Sequence, residues 1–160
     1  MSDFKFTTPV AVRYGDIDVQ GHVNNACYFT YMEEGRLRYW QALGLWPAGP
    51  AADGISQIVA DAACTYQQPI FLGQTVDVAV RVARLGNKSL HLDYRLTVAG
   101  QPVATGRTVQ VAYDYAARRS VPIPPAWRQA VTAFEPALAS LPDPATIPPA
   151  SSPSSLTSGL

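Results

Sequence analysis

The sequence predicts an α+β domain in which one long helix packs on an antiparallel sheet. Three observations carry that prediction. A stretch of helical period runs from Ala26 to Leu43, four later stretches carry the alternation or apolar content of strands, and tight turns join those strands. A change of composition after Glu135 marks where the folded part ends.

Taken in order, Phe4 to Tyr14 alternates in patches at Val10, Val12 and Tyr14 and reads as a strand, with Pro9 suiting an edge or a bulge. The stretch Tyr14 to Arg36, YGDIDVQGHVNNACYFTYMEEGR, opens as a polar loop and turns abruptly helical. Asn24 or Asn25 suits the helix cap, because a side-chain amide oxygen accepts from the orphan N–H groups of a first turn. Phe29, Met32, Tyr39, Trp40 and Leu43 form one broad apolar stripe, Glu34 and Arg38 pair one turn apart outside it, and Gly44 ends the helix. Gly35 lies in or beside the stripe. It costs about 1 kcal/mol of helix propensity, which predicts close approach to another backbone.

A Pro/Gly/Ala loop (Pro47 to Gly54) leads to strands at Ile55–Tyr66, Val76–Val82, Leu90–Val98 and Val109–Tyr115, with turns at Gly86-Asn87 and Gly100-Gln101. Pro124 to Phe134 reads as a short last helix. Residues 1–135 form the predicted domain. Residues 136–160 are rich in Pro, Ser and Ala, with Asp143 their only charge, and read as a disordered tail.

A chain of 160 residues with 48% apolar content is one globular domain with a substantial core. Its net charge of zero gives no field for nucleic acid or an anionic membrane. No run approaches the ~18 apolar residues of a membrane span, and the start, MSDFKFTT, has no apolar export segment. Cys27 and Cys64 have no metal-ligand spacing, so reduced thiols in the cytoplasm are expected. There is no Gly-rich phosphate loop, no His/Cys/Asp ligand cluster and no basic–aromatic strip. Neither metal nor resident cofactor is expected.

The loop before the helix holds the chemistry. An acid-bearing loop feeding a helix N-terminus sets unpaired amide donors beside a carboxylate, an arrangement suited to acyl transfer. The amides hold an oxyanion while the carboxylate attacks or activates water.

The residues Arg13-Tyr14-Gly15-Asp16-Ile17-Asp18, Gly21-His22-Val23-Asn24-Asn25, Tyr28, Tyr31 and Glu34, then Tyr66-Gln67-Gln68-Pro69 with Gly73, then Gly86 to Leu90, occur in the order found in one family. Over residues 5 to 125 the chain resembles the hotdog-fold acyl-CoA thioesterases of the 4-hydroxybenzoyl-CoA thioesterase type. The resemblance implies a hotdog fold, a five-stranded antiparallel sheet wrapped about one long helix. It also implies a homodimer, or a homotetramer of such dimers, with two sites built across the interface, and an acyl-CoA substrate. Residue by residue, Asp18 stands where the family has its catalytic carboxylate, as nucleophile or general base. Asn25 stands where a backbone N–H faces the thioester carbonyl, and Lys88 and Arg119 align with phosphate-holding cations. Gly86 and Asn87 replace further basic residues of the type enzyme. Asp18-x-Gln20-x-His22 is also similar to the triplet of plant acyl-carrier-protein thioesterases, but Ala63 precedes Cys64 where those enzymes have an acid.

Within that frame Asp16 is read as structural, through Arg13 or loop N–H groups. His22 polarises a water, binds the carbonyl or holds the loop. Asp61 is either outward-facing or a second acid, His91 faces outward, and Cys64 is a small core residue. Tyr28, Tyr31, Met32 and Ile58 are expected around an apolar acyl pocket. Two rival functions remain at this stage: a hotdog dehydratase or hydratase on an acyl thioester, and a hotdog protein that binds acyl-CoA without turnover. Acyl identity is not readable from the chain.

Overall fold

The computed structural model describes residues 4–45 and 54–140. The elements are β1 (Phe6–Ala11), α1 (Asn25–Ala42), β2 (Ile55–Tyr66), β3 (Thr75–Leu85), β4 (Ser89–Val98), β5 (Gln101–Asp114), the two-residue β6 (Arg119–Ser120) and α2 (Pro125–Phe134). The sheet runs β1-β3-β4-β5-β2, with every neighbouring pair antiparallel and β6 attached to β5. The predicted single helix on five strands is present, extended by α2 and the short β6.

Helix α1 lies on the concave face of the sheet. Tyr28, Tyr31, Met32, Gly35, Tyr39 and Trp40 are buried, a three-and-four spacing that forms one face. Phe29, expected in that stripe, is at the surface instead, and Tyr28 and Tyr31 take its place. Gly35 owes its presence to the side chains of β3 and not to a backbone. A Cβ at this position would stand 2.5 Å from Val78 Cγ1 and 3.2 Å from Val80 Cγ2. One turn earlier the Met32 thioether sits on Gly106 of β5, in the space a side chain there would fill.

Three bulges bend the sheet round the helix: register shifts occur at Val59/Asp61 in β2, Val82/Arg84 in β3, and where Leu96/Thr97 of β4 face β5. β1 stops at Ala11, short of the predicted Tyr14, because Tyr14–Asp16 winds into a 3-10 turn closed on Asp16. β5 begins at Gln101, well before Val109, and its helix-facing residues Ala104, Gly106 and Thr108 are too small or polar to signal a strand by hydrophobicity. Ala99 and Gly100, both at positive φ, form the tight β4–β5 turn.

The boundary at 135 is also adjusted. Glu135 is buried and receives the Tyr39 hydroxyl at 3.3 Å, and burial holds its carboxyl above the ordinary value against the opposing pull of the Tyr39 hydrogen bond, Lys5 and Arg81. Pro136–Ser140 winds a 3-10 turn whose Leu138 packs on the core, so these five residues of the predicted tail are structured. The rest of that tail, and the loop from Pro47 up to residue 53, lie outside the described residues. No described helix is long and apolar enough to cross a membrane.

Candidate active site

Asp16 anchors the loop that precedes α1. It accepts from the Arg13 N–H at 2.9 Å, the Arg13 guanidinium at 2.9 Å and the Tyr31 hydroxyl at 2.8 Å, while being itself buried. Burial pushes this carboxyl upward, but the hydrogen bonds from Arg13 and Tyr31, with the charge of Arg13, outweigh it and hold the group below its ordinary value. Tyr31, buried and bonded to that carboxylate, is held far up and stays protonated.

Beyond Asp16 the chain folds back on itself. Ile17 bridges Val23, the Asp18 N–H donates to the His22 carbonyl at 3.0 Å, and Gly21, at φ +86°, returns its N–H to the Asp18 carbonyl. Only the glycine adopts that backbone without strain. Asp18 Oδ1 accepts from the Gln20 N–H at 2.8 Å, an Asx turn. Its Oδ2 lies 3.7 Å from His22 Nδ1.

The chain then enters α1. Asn24 is the cap: its Oδ1 accepts from the Ala26 N–H at 2.9 Å, and its own N–H donates to the Asp16 carbonyl. The Asn25 carbonyl receives the Tyr66 hydroxyl at 3.2 Å. The peptide joining Asn25 to Ala26 is therefore held at both ends. Among the described residues no acceptor meets the Asn25 N–H itself.

A pocket of about 340 Å³ opens beside these groups, lined by Asp18, Gln20, His22, Val23 and Asn25, by Tyr28, and by Tyr66 to Pro69 at the end of β2. Tyr28 donates to the Gln68 carbonyl at 3.3 Å and sets its ring edge-on to Tyr66 at 4.9 Å. A carboxylate and a bond-free helix N–H thus share one partly apolar cavity, the combination that acyl transfer uses.

A family profile described as the thioesterase-like superfamily matches residues 12–131. The chain belongs to the thioesterase-like superfamily. It is a thioester hydrolase with the hotdog fold. It is similar to a thioesterase from Thermus thermophilus whose crystal structure is complexed with coenzyme A and Zn: 36% identity, 85% of this chain and 98% of that one covered, TM-score 0.74. A putative thioesterase from Pseudomonas aeruginosa shares 34% identity over 78% of this chain and 96% of its own, TM-score 0.70. A 1,4-dihydroxy-2-naphthoyl-CoA hydrolase from Synechococcus elongatus is 29% identical over 126 residues, 78% of this chain and 91% of that protein.

Within this thioesterase-like chain the residues singled out by sequence divide into those at the pocket and those elsewhere. Asp18, His22, Asn25 and Tyr28 line it. Lys88 and Arg119 do not. The Lys88 ammonium lies 3.4 Å from the Ser120 carbonyl of β6, the strand that also carries Arg119, so both cations belong to the same end of the sheet. That end is the far one from the pocket: Tyr66 faces Ala104 of β5, whereas the Lys88 carbonyl accepts from Ala112, ~26 Å further along at the usual rise per residue.

Tyr31 and Met32 are spent on Asp16 and Gly106, and Ile58 faces away from the helix, so none of the three lines the pocket. Glu34 pairs with Arg38 at 3.7 Å, and Asp61 pairs with Arg107 at 3.5 Å on the outer face of the sheet. His91 sits on that same face, where burial, then Arg84 and Arg107, lower its pKa. Cys27 and Cys64 are free thiols, and burial pushes both above the ordinary value. Sequence reasoning placed none of Gln20, Tyr66, Gln67, Gln68 and Pro69 in the site. The Tyr-Gln-Gln-Pro run that begins on the last residue of β2 was the available signal. Among the described residues no three His, Cys, Asp or Glu side chains cluster as a metal site would need.

Proposed function

We propose that the chain hydrolyses the thioester of an acyl- or aryl-CoA. The observation that carries this reading is the shared pocket of Asp18 and the unbonded Asn25 N–H. The thioester carbonyl oxygen lies against that N–H, where the partial positive charge of the α1 N-terminus stabilises the tetrahedral oxyanion. As general base, Asp18 takes a proton from water as the water oxygen bonds to the carbonyl carbon. The carbon–sulfur bond then breaks and the proton passes to the departing thiolate. As nucleophile, Asp18 bonds to the carbonyl carbon and the thiolate is expelled, giving a mixed anhydride that water then hydrolyses to the free acid and the restored carboxylate. His22, 3.7 Å from Asp18, orients the water or the carboxylate. Coenzyme A as carrier is supported by the thioesterase from T. thermophilus, crystallised with it, and by the naphthoyl-CoA hydrolase.

The same reading includes a second copy of the chain. β2 is an edge strand of twelve residues, with Ile58 and Val59 exposed on it. Pairing two β2 strands antiparallel about a two-fold sets the Tyr66 end of one beside the Ile55 end of the other. Ile55 faces Asp114, which in turn pairs with Arg119. The cations that are remote from the pocket in one protomer come beside it in the pair, where they serve the nucleotide phosphates in a homodimer or a homotetramer.

The test is hydrolysis of a series of aliphatic and aromatic acyl-CoAs by the chain and by Asp18→Asn. Turnover of at least one substrate is expected, with kcat lower by ~100-fold or more in the variant. Absence of turnover across the series rejects the activity, and a well-folded Asp18→Asn with normal kcat rejects the residue.

A further inference from the structure

A second cavity, of about 250 Å³, lies between the middle of α1 and the sheet, lined by Glu33, Arg36, Leu37 and Trp40 with residues of β2 and β5. Its polar groups are poorly served. The Trp40 side chain is fully buried and its indole N–H meets no acceptor among the described residues. The Arg36 side chain is only 13% exposed, yet it makes one long hydrogen bond, 3.4 Å to the Tyr94 hydroxyl, and a 3.8 Å contact with the exposed Glu33. The Tyr94 hydroxyl shares Thr108 Oγ1, 2.9 Å away, with the carboxamide of buried Gln110. A buried donor without an acceptor, as the Trp40 indole N–H is, is destabilising, and a guanidinium's five N–H donors leave Arg36 with capacity beyond its two long contacts. Such groups persist in native structures where another role maintains them. Of the remaining walls Leu37 and Val59 are apolar, and Gln57 of β2 adds one carboxamide.

We propose that this cavity binds a ligand with an apolar body ending in an oxygen acceptor, a carboxylate or a phenolic oxygen, received by Arg36 and Trp40. Two sources have this chemistry: the distal end of the substrate's acyl group, or a free aryl acid. The first rests on the thioesterase reading and on the second copy. Within one protomer Arg36 is ~16 Å along α1 from Asn25, whereas pairing through β2 brings one copy's cavity beside the other's Asp18 pocket. Arg36 and Trp40 then become determinants of acyl specificity.

The experiment follows the Trp40 indole N–H resonance of the 15N-labelled full chain, assigned with Trp40→Phe, during titration with 4-hydroxybenzoate, benzoate and toluene. Saturable shifts with the two acids and none with toluene are expected, and Arg36→Gln should weaken the acids by about tenfold, the loss of a charge-assisted hydrogen bond. A Trp40 resonance unmoved by millimolar acid, or moved equally by toluene, overturns the proposal. Should Arg36→Gln fail to fold, Trp40→Phe carries the test through kinetics: kcat/KM for 4-hydroxybenzoyl-CoA should fall relative to hexanoyl-CoA, and an unchanged ratio together with no acid binding overturns it. Competition of 4-hydroxybenzoyl-CoA with 4-hydroxybenzoate for this resonance identifies the acyl group as the source; independent binding identifies a free acid. Because the resonance is read without turnover, an inactive chain that still binds acid rejects the thioesterase reading alone.

Discussion

The Tyr66 hydroxyl donates to the Asn25 carbonyl across 3.2 Å, so the last residue of the edge strand grips the first turn of the helix at the rim of the pocket. Asn24 holds the other end of the same peptide through the Ala26 N–H. These contacts hold the peptide that follows Asn25, and on the proposed chemistry that steadies the residue whose N–H faces the pocket. Tyr66→Phe keeps the ring against Tyr28 and removes only the hydroxyl. It is expected to lower kcat by ~3–10-fold, the scale of one neutral hydrogen bond, by the same factor for every acyl group and with KM little changed. A factor that varies with the acyl group would show that Tyr66 touches substrate instead.

Asp16 makes the loop acid-sensitive. Its folded-state pKa lies below the ordinary value, so its stabilising contribution is complete above pH ~4 and is lost as pH falls through the folded value. Thermal midpoints of the parent chain and of Asp16→Asn, measured from pH 7 to pH 2, are expected to differ most at neutral pH and to converge below pH ~4. A difference that stays constant across that range would remove the ionised carboxylate from the account.

Gly35→Ala sets two effects against each other. Alanine gains about 1 kcal/mol of helix propensity, but its Cβ meets Val78 Cγ1 at 2.5 Å inside a sealed core. Overpacking of that kind costs about 1–3 kcal/mol, and α1 can escape only by moving off β3. The variant should be the less stable in urea denaturation; a more stable Gly35→Ala would mean that the helix shifts freely.

Lys88 and Arg119 are both exposed, so their contacts with phosphate should be modest and weakened by salt. Replacing both with Ala should raise KM for acyl-CoA and leave kcat near its original value, the mark of lost uniform binding. The same acyl group on pantetheine, which has no nucleotide, should not register the change. Equal responses of the two substrates would exclude these cations from nucleotide binding.

Much of this is legible in the chain, and each failure has a physical cause of its own. The sequence places β2 at its true bounds, and it separates Asp16 from Asp18 because the Arg13 pairing lies close in sequence. Ile58 is misplaced because strand alternation assumes unbroken parity. The bulge between Val59 and Asp61 inverts it, so Ile58 and Cys64, both even-numbered, face opposite sides of the sheet. The start of β5 is missed because Ala104, Gly106 and Thr108 are small where Tyr66, Met32 and the helix need room. The Tyr-Gln-Gln-Pro run marks Tyr66 but not its role, which depends on a contact spanning 41 positions.

The unpaired backbone of β2 has a consequence for how the protein responds to its own abundance. On the proposed pairing, a solitary protomer holds a pocket but no nearby cations for the nucleotide, so activity per chain should fall on dilution as pairs separate, and should fall more for acyl-CoA than for acyl-pantetheine. On that pairing the surface that would complete the site is a single contiguous segment, Ile55–Tyr66. A synthetic peptide of that sequence should therefore compete for the edge and act as an inhibitor that never enters the pocket.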